Sequence, residues 1–101
     1  GEVRPDIVIS NNNGMTASSK MTDLLVQSFE KAGFSVALNH PFLGGEIVRY
    51  FGDPNHHKHS IQIEINKTLY LDMETFEVIP KQFAATQKKL QKAIGQFSKK
   101  I

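Results

Sequence analysis

The sequence predicts a small domain of the α/β class, and three observations lead to this prediction. A β-branched apolar run at 6–10 is typical of a buried strand. Apolar residues then recur at helical intervals, and a second short apolar run follows at 34–38. The order strand, helix, strand predicts a βαβ unit whose strands are parallel and joined by a right-handed crossover.

The helix of this unit carries its own start and stop signals. Thr16 or Ser18 can supply the capping oxygen, and Gly33 stands where a left-handed C-terminal cap belongs. The residues expected on its apolar face are Met21, Leu24, Leu25, Phe29 and Ala32. Before the helix, the tract 11–14 (NNNG) is a strong turn signal. Because ligands bind beyond the carboxyl ends of strands in open α/β sheets, a substrate-facing loop is the alternative interpretation.

The second half of the chain predicts one further strand and one further helix. The segment 39–45 is irregular, and 46–51 fits either a strand or a short helix. Apolar and polar residues alternate over 59–66, which predicts a strand with Ile61, Ile63 and Ile65 on its packed face. A final helix begins at Pro80, and its expected apolar stripe comprises Phe83, Leu90, Ile94, Phe97 and Ile101.

Composition excludes several classes of protein. The 101 residues are 40% hydrophobic and 22% charged, which is typical of one globular domain or a piece of one. No apolar run is long enough to cross a bilayer, no leader pattern opens the chain, and cysteine is absent. We therefore expect a cytoplasmic protein that does not bind membranes. A net charge of +2 is too small to indicate nucleic acid, and the C-terminal lysines fit a solvated helix face.

Glu64 and Arg49 are the residues most suited to chemistry. A carboxylate on a strand bounded by isoleucines can act as a general base towards water, although the alternation alone favours an ordinary surface glutamate on a solvent-facing edge strand. Arg49 follows the Gly44-Gly45 pair, and its guanidinium can grip a carboxylate with two hydrogen bonds. The alternative is a surface arginine of an amphipathic segment. The histidines at 56, 57 and 59 lack a recognised metal-binding spacing.

Two longer motifs resemble one known family. The segment 39–49 (NHPFLGGEIVR) resembles the N-x-P-F-x-G-G-x-I-x-R stretch of the N-formylglutamate amidohydrolase family. The segment 59–72 (HSIQIEINKTLYLD) resembles that family's H-x-I-Q-x-E-x-N-R-x-L-Y-M-D signature. The departures are Lys67 where arginine is usual and Leu71 where methionine is usual. The strand, helix and turn upstream fall in the same order, so the resemblance covers nearly the whole chain.

The resemblance implies a zinc-dependent hydrolase with a three-layer α/β/α sandwich of the zinc-carboxypeptidase type. Members cleave N-formylglutamate to formate and glutamate in histidine degradation, so the implied partner is a small N-acyl amino acid. By analogy, Glu64 is the general base and acid beside a zinc-bound water, and Arg49 binds a substrate carboxylate. The implied residues near the substrate are Asn39, His59, Gly44, Gly45 and Tyr70.

Family members are much longer, and their zinc ligands precede the part that matches here. We therefore expect 1–101 to be the C-terminal part of one catalytic domain, inactive alone, with zinc held by ligands upstream. A partial sheet leaves edges and apolar surface uncovered, so the chain is expected to self-associate. The alternative is a non-catalytic α/β module that binds a small anionic ligand or a protein partner through Arg49 and the Gly44-Gly45 loop. A basic nucleic-acid module would rest on the C-terminal lysines alone.

Overall fold

The computed structural model describes residues 4–41 and 43–101. These residues form three strands, three α-helices and two short 3₁₀ turns. The strands are β1 (Ile7–Ser10), β2 (Val36–Leu38) and β3 (Gln62–Ile65). The helices are α1 (Ser19–Lys31), α2 (Glu46–Phe51) and α3 (Pro80–Lys100), and the 3₁₀ turns span Pro54–His56 and Lys67–Leu69.

The three strands form one sheet in the order β2-β1-β3. β1 lies parallel to β2, as the βαβ pattern predicts, and antiparallel to β3. The register places Val8 opposite Ala37 on one side and opposite Glu64 on the other. Since residues paired across a sheet point to the same face, these three side chains share one face of the sheet.

The hydrophobic core lies on the other face, beneath α1 and α3. Ile7 and Ile9 of β1 are fully buried there, against Phe29 of α1 and Ala93 of α3. Burying each large apolar side chain contributes about 1.5–3 kcal/mol, so this cluster dominates the stability of the domain. The sheet and its two long helices form two layers. A mixed α/β fold is thus confirmed, and the three-layer sandwich stays a prediction.

The signals at the ends of α1 are confirmed. Ser18 is the N-cap residue, and its hydroxyl accepts from the backbone N–H of Met21. Gly33 follows the helix with a φ of +101°, the left-handed region that glycine adopts without strain. The segment 46–51, which periodicity left open, is helical. Within the described ranges, no helix is both long enough and apolar enough to span a bilayer.

The stripe expected on α3 is only partly right. Leu90 and Phe97 pack against the core, but Phe83, Ile94 and Ile101 are exposed. The buried positions are Thr86 and Ala93, so the packed face follows the spacing 86, 90, 93, 97. This face includes a threonine because its hydroxyl hydrogen-bonds the carbonyl oxygen of Leu69, and hydropathy does not register that contact.

The isoleucine face of β3 is also less buried than the alternation predicts. Ile63 and Ile65 remain 37% and 38% exposed, although they pair with the fully buried Ile9 and Ile7. β3 is an outer strand of the three-stranded sheet, and the two long helices centre on β1. Alternation identifies the correct face of the strand but carries no information about its place in the sheet.

Candidate functional site

Glu64 lies on the sheet face away from the core and is half-buried. It lines a cleft with a volume of about 570 Å³ whose floor includes the side chains of Val8 and Ala37, and Ile65 also contributes to the lining. The other lining residues come from the segment before β1, the segment after β2 and the turns after β3: Arg4, Pro5, His40, Pro41, Asn66, Lys67, Thr68 and Met73. A cleft of this size can hold a small metabolite.

Two hydrogen bonds through Gln62 connect the carboxylate of Glu64 to the Gly44-Gly45 loop. Gln62, two residues earlier on the same face of β3, donates from Nε2 to Oε1 of Glu64 at 2.7 Å. The Oε1 atom of Gln62 accepts from the backbone N–H of Gly45 at 2.9 Å. Gly45 is the N-cap residue of α2, so Gln62 joins the catalytic candidate to the Gly44-Gly45 loop.

The cleft is basic apart from Glu64. Arg4, Lys67 and His40 line it, and Glu64 is the only carboxylate among its described lining residues. Nζ of Lys67 lies 6.0 Å from the centre of the Phe76 ring. The cleft therefore combines one hydrogen-bonded carboxylate, an apolar floor and surrounding cationic side chains, an arrangement that suits a small anionic ligand.

Arg49 lies in the last turn of α2, with its side chain exposed. It lines a second, shallow depression with other residues of the same helix: Glu46, Ile47, Tyr50 and Phe51. It is not among the residues that line the Glu64 cleft. The described structure therefore links these two candidates through Gln62 and the start of α2, without bringing them into one cleft.

His59 and Asn39 support the loop that follows β1. Nδ1 of His59 accepts from the backbone N–H of Ser18 at 3.0 Å, which leaves the proton of the neutral ring on Nε2. The side chain of Asn39 exchanges two hydrogen bonds with Asn11, at 2.9 Å and 2.7 Å. Asn11 is buried and also donates to the Thr22 hydroxyl. The Asn tract thus uses its first side chain to organise a turn.

The remaining predicted residues fall outside the cleft. Gly44 has a φ of +112° and contacts Val48, so it shapes the entry to α2. The ring of Tyr70 meets that of Phe83 edge-on, with centroids 5.7 Å apart. The backbone carbonyl oxygen of Tyr70 accepts a hydrogen bond from the N–H of Ile79. Phe42, which belongs to the first motif, lies outside the described residues.

No cluster of three or more histidine or acidic side chains able to hold a metal exists in the ranges 4–41 and 43–101. The closest approach is an exposed pair, His56 Nδ1 and Asp53 Oδ2, 2.7 Å apart. Zinc does not fit the donors that these residues supply.

The sequence does not reveal the contacts of two further residues, Gln62 and Gly52. Gln62 stands two residues before Glu64, and this spacing on a strand places both side chains on one face, but it does not show the contact between them. Gly52 lies against Thr16 so closely that an added Cβ would stand 2.6 Å from Thr16 Cα. The sequence shows Gly52 only as part of a turn, because the approach is set by tertiary packing.

Comparison with known proteins agrees with this architecture. The sequence profile of the N-formylglutamate amidohydrolase family matches residues 1–71. Two N-formylglutamate deformylases, from Pseudomonas putida and Pseudomonas aeruginosa, are each 33% identical over 69 residues. These residues are 67% of this chain but 26% of either relative, so the match spans about a quarter of their length.

A solved structure supports the same fold. The crystal structure of N-formylglutamate amidohydrolase from Ralstonia eutropha JMP134 superposes with a TM-score of 0.81 at 24% identity. The superposition covers 96% of this chain and 35% of that one. At this identity the likeness establishes the fold, and the profile match establishes the relationship. The chain belongs to the N-formylglutamate amidohydrolase family.

Proposed function

We propose that this chain is the C-terminal part of an amidohydrolase that cleaves N-formylglutamate, or a related N-acyl amino acid, to the free acid and the amino acid. One observation carries the proposal: Glu64, which falls on the glutamate of the family's second motif, lines a cleft with its carboxylate hydrogen-bonded. An ordinary surface glutamate needs neither the cleft nor the donor.

The proposed role of Glu64 is proton transfer. Its carboxylate takes a proton from water as the water oxygen attacks the formyl carbon, and it then returns that proton to the leaving amine nitrogen. The C–N bond breaks, and one water is consumed for each formate and glutamate released. Because Gln62 occupies Oε1, Oε2 is the oxygen that receives the proton.

The proposed role of Arg49 is to bind a substrate carboxylate. Its side chain is exposed on α2 and pairs with no acid within the described residues. The N-cap residue of the helix is Gly45, which Gln62 contacts, so Arg49 is tied to the Glu64 strand through a short path. Asn39, His59, Gly44 and Tyr70 are proposed to line or support the substrate region, with Asn39 and His59 acting through the loop after β1.

Zinc, which the family resemblance implies, is proposed to be held by ligands outside these 101 residues, since the described ones form no suitable cluster. The isolated chain should therefore be inactive. Turnover of N-formylglutamate by the purified chain in the presence of zinc would contradict this.

The function itself is tested by complementation. The chain is co-expressed with the part of the Pseudomonas putida deformylase that lies outside the matched segment, and formate release is measured. We expect activity that requires both polypeptides. Glu64→Gln should abolish turnover while zinc content stays unchanged, and Glu77→Gln, an exposed acid outside the cleft, should retain activity. Full activity of the Glu64 variant would remove the assigned role.

A second candidate function is binding of a small anionic ligand without catalysis. Arg4 and Lys67 favour it, because both line the cleft and neither forms an ion pair within the described part of the chain. A binding module would keep its ligand affinity in the Glu64→Gln variant and show no turnover in any complex. Calorimetry with glutarate as the probe tests binding, and turnover in the complemented complex separates the two functions.

We also propose that the free chain self-associates in the cytoplasm, where histidine degradation would use the complete enzyme. β2 and β3 each have one unpaired edge within the described sheet, and Ile47 and Tyr50 on α2 are 75% and 83% exposed. Unpaired edges and apolar side chains of this size favour association.

A further inference from the structure

We propose that Gln62 is the positioning residue for Glu64, and that it makes the orientation of the Glu64 carboxylate depend on the Gly44-Gly45 loop. This inference rests on the proposed function of Glu64 and adds to it the side chain through which the loop acts. It is carried by two hydrogen bonds on one amide group, which connect Gly45, Gln62 and Glu64 in a line.

The orientation of the Gln62 amide follows from its neighbours. A backbone N–H such as that of Gly45 can only donate, so the atom facing it must be the amide oxygen. The amide nitrogen then faces Glu64, where an ionised carboxylate can only accept. A flipped amide would oppose donor to donor and acceptor to acceptor, so both contacts favour the same orientation.

The position of Gln62 in the sheet makes the link rigid. Gln62 pairs with Ser10, and Glu64 pairs with Val8; both β1 residues are buried. The backbone on which both polar side chains stand is therefore held by the central strand. The remaining freedom lies in their side-chain torsions, and the two hydrogen bonds restrict it.

The hydrogen bond from Gln62 makes the two oxygens of the Glu64 carboxylate unequal. Occupation of Oε1 by the Gln62 N–H leaves Oε2 as the acceptor for a proton from water. When Gly45 is displaced, the amide oxygen loses its donor and the amide can rotate away from Glu64. The loop that opens α2, the helix bearing Arg49, is thereby coupled to the proton-accepting group.

The link can be measured by NMR on the 101-residue chain, without any activity. Gln62→Glu keeps an acceptor for Gly45 and replaces the donor to Glu64 by a second carboxylate, whereas Gln62→Leu removes both contacts. Gln87→Glu, on the exposed surface of α3, is the matched control for the charge change. Glu64→Ala removes the acceptor and leaves Gln62 intact.

We expect the two Nε2 protons of Gln62 to be widely separated in frequency and to move as the Glu64 carboxyl titrates, with both effects lost in Glu64→Ala. Hydrogen exchange at the Gly45 amide should accelerate about two- to tenfold in Gln62→Leu, the effect of one lost hydrogen bond, and remain slow in Gln87→Glu. The proposal would be overturned if the Nε2 proton frequencies of Gln62 did not change with the charge of Glu64. An unchanged hydrogen-exchange rate at the Gly45 amide in Gln62→Leu would also overturn it.

Activity provides a separate readout in the complemented enzyme. Gln62→Glu should lower kcat with little change in KM, because substrate contacts are kept while the base is misoriented. A rise in KM alone would contradict the positioning role. If no complex turns over at all, the proposed hydrolase function fails, and the NMR result still decides whether Gln62 orients Glu64.

Discussion

Replacing Gly52 with alanine should destabilise the domain because the glycine lies directly against the backbone of Thr16. A Cβ at this position would stand 2.6 Å from Thr16 Cα and 2.7 Å from its carbonyl oxygen, whereas ordinary contact begins at 3.4 Å. The Cβ of Thr16 lies closer still, so the two segments would have to separate by roughly 1 Å. The backbone of Gly52 has a φ of −84°, so the effect is purely one of space.

The separation strains a specific pair of hydrogen bonds. Thr16 donates its hydroxyl to the Ser60 carbonyl oxygen and accepts from the Ser60 N–H, both at 2.8 Å. Overpacking of this kind costs about 1–3 kcal/mol, and weakening the two bonds adds about 1 kcal/mol. We therefore expect Gly52→Ala to lower the free energy of unfolding by about 2–4 kcal/mol. For a chain of this size that corresponds to a Tm at least about 8 °C lower.

Gly95→Ala provides the matched control. Gly95 lies within α3, and an added Cβ would meet no atom within 4 Å. The same chemical change should raise the free energy of unfolding there by about 0.5–1 kcal/mol, since alanine is the better helix former. Urea unfolding followed by circular dichroism measures both variants. Equal midpoints for Gly52→Ala and the parent chain would refute the steric argument, as would shifts of the same sign in both variants.

The other predictions concern the loop after β1 and the state of the chain in solution. Asn11→Ala should lower the free energy of unfolding in urea by about 2–4 kcal/mol, because it removes the acceptor of the Gly14 N–H and of the Asn39 Nδ2 group. The exposed Asn55→Ala should change stability by less than about 0.5 kcal/mol, and equal effects would contradict the argument. His59→Ala should lower stability by about 0.5–1.5 kcal/mol, while His59→Asn, whose Oδ1 can replace Nδ1 as acceptor from Ser18, should restore it; no rescue would count against this contact. Light scattering should give the mass of a dimer or a larger species for the free chain, and a monomer at all concentrations would argue against self-association.

The local elements of this fold were predictable because their signals are short-range. The Ser18 cap, the left-handed Gly33 and the parallel pairing of β1 with β2 each follow from a few adjacent residues or from one strand–helix–strand unit. The antiparallel placement of β3 and the exposure of Ile63 and Ile65 were not predictable, since both depend on which strand lies in the centre of the sheet. Alternation of apolar and polar residues indicates which face of a strand is buried, but not which strand lies beside it.

The candidate site likewise combines residues that local sequence motifs identify with contacts that depend on the tertiary structure. Glu64 was identifiable from its motif, and the folded chain places it in the lining of a cleft, while its catalytic role remains a prediction. The expectation that Arg49 shares the site came from the motif alone and remains a prediction, because α2 directs Arg49 to a different depression. The residue that physically connects them, Gln62, carries no charge and gives no signal in composition or periodicity. Its importance arises from a contact across 17 residues of sequence, which only the folded chain reveals.

The helix α2 exposes several large apolar side chains in the described structure. Ile47, Tyr50 and Phe51 lie on one short helix whose only buried residue is Val48. Most of α2 is therefore not held by burial in the described structure, and its N-cap residue Gly45 is tied to the sheet through Gln62. If additional protein covered this surface, burial of three large side chains would fix α2 and, through Gly45 and Gln62, the carboxylate of Glu64. Complementation should accordingly slow hydrogen exchange at Gly45 as well as produce turnover, and a complex that leaves Gly45 exchange unchanged would show that α2 and Glu64 are not coupled.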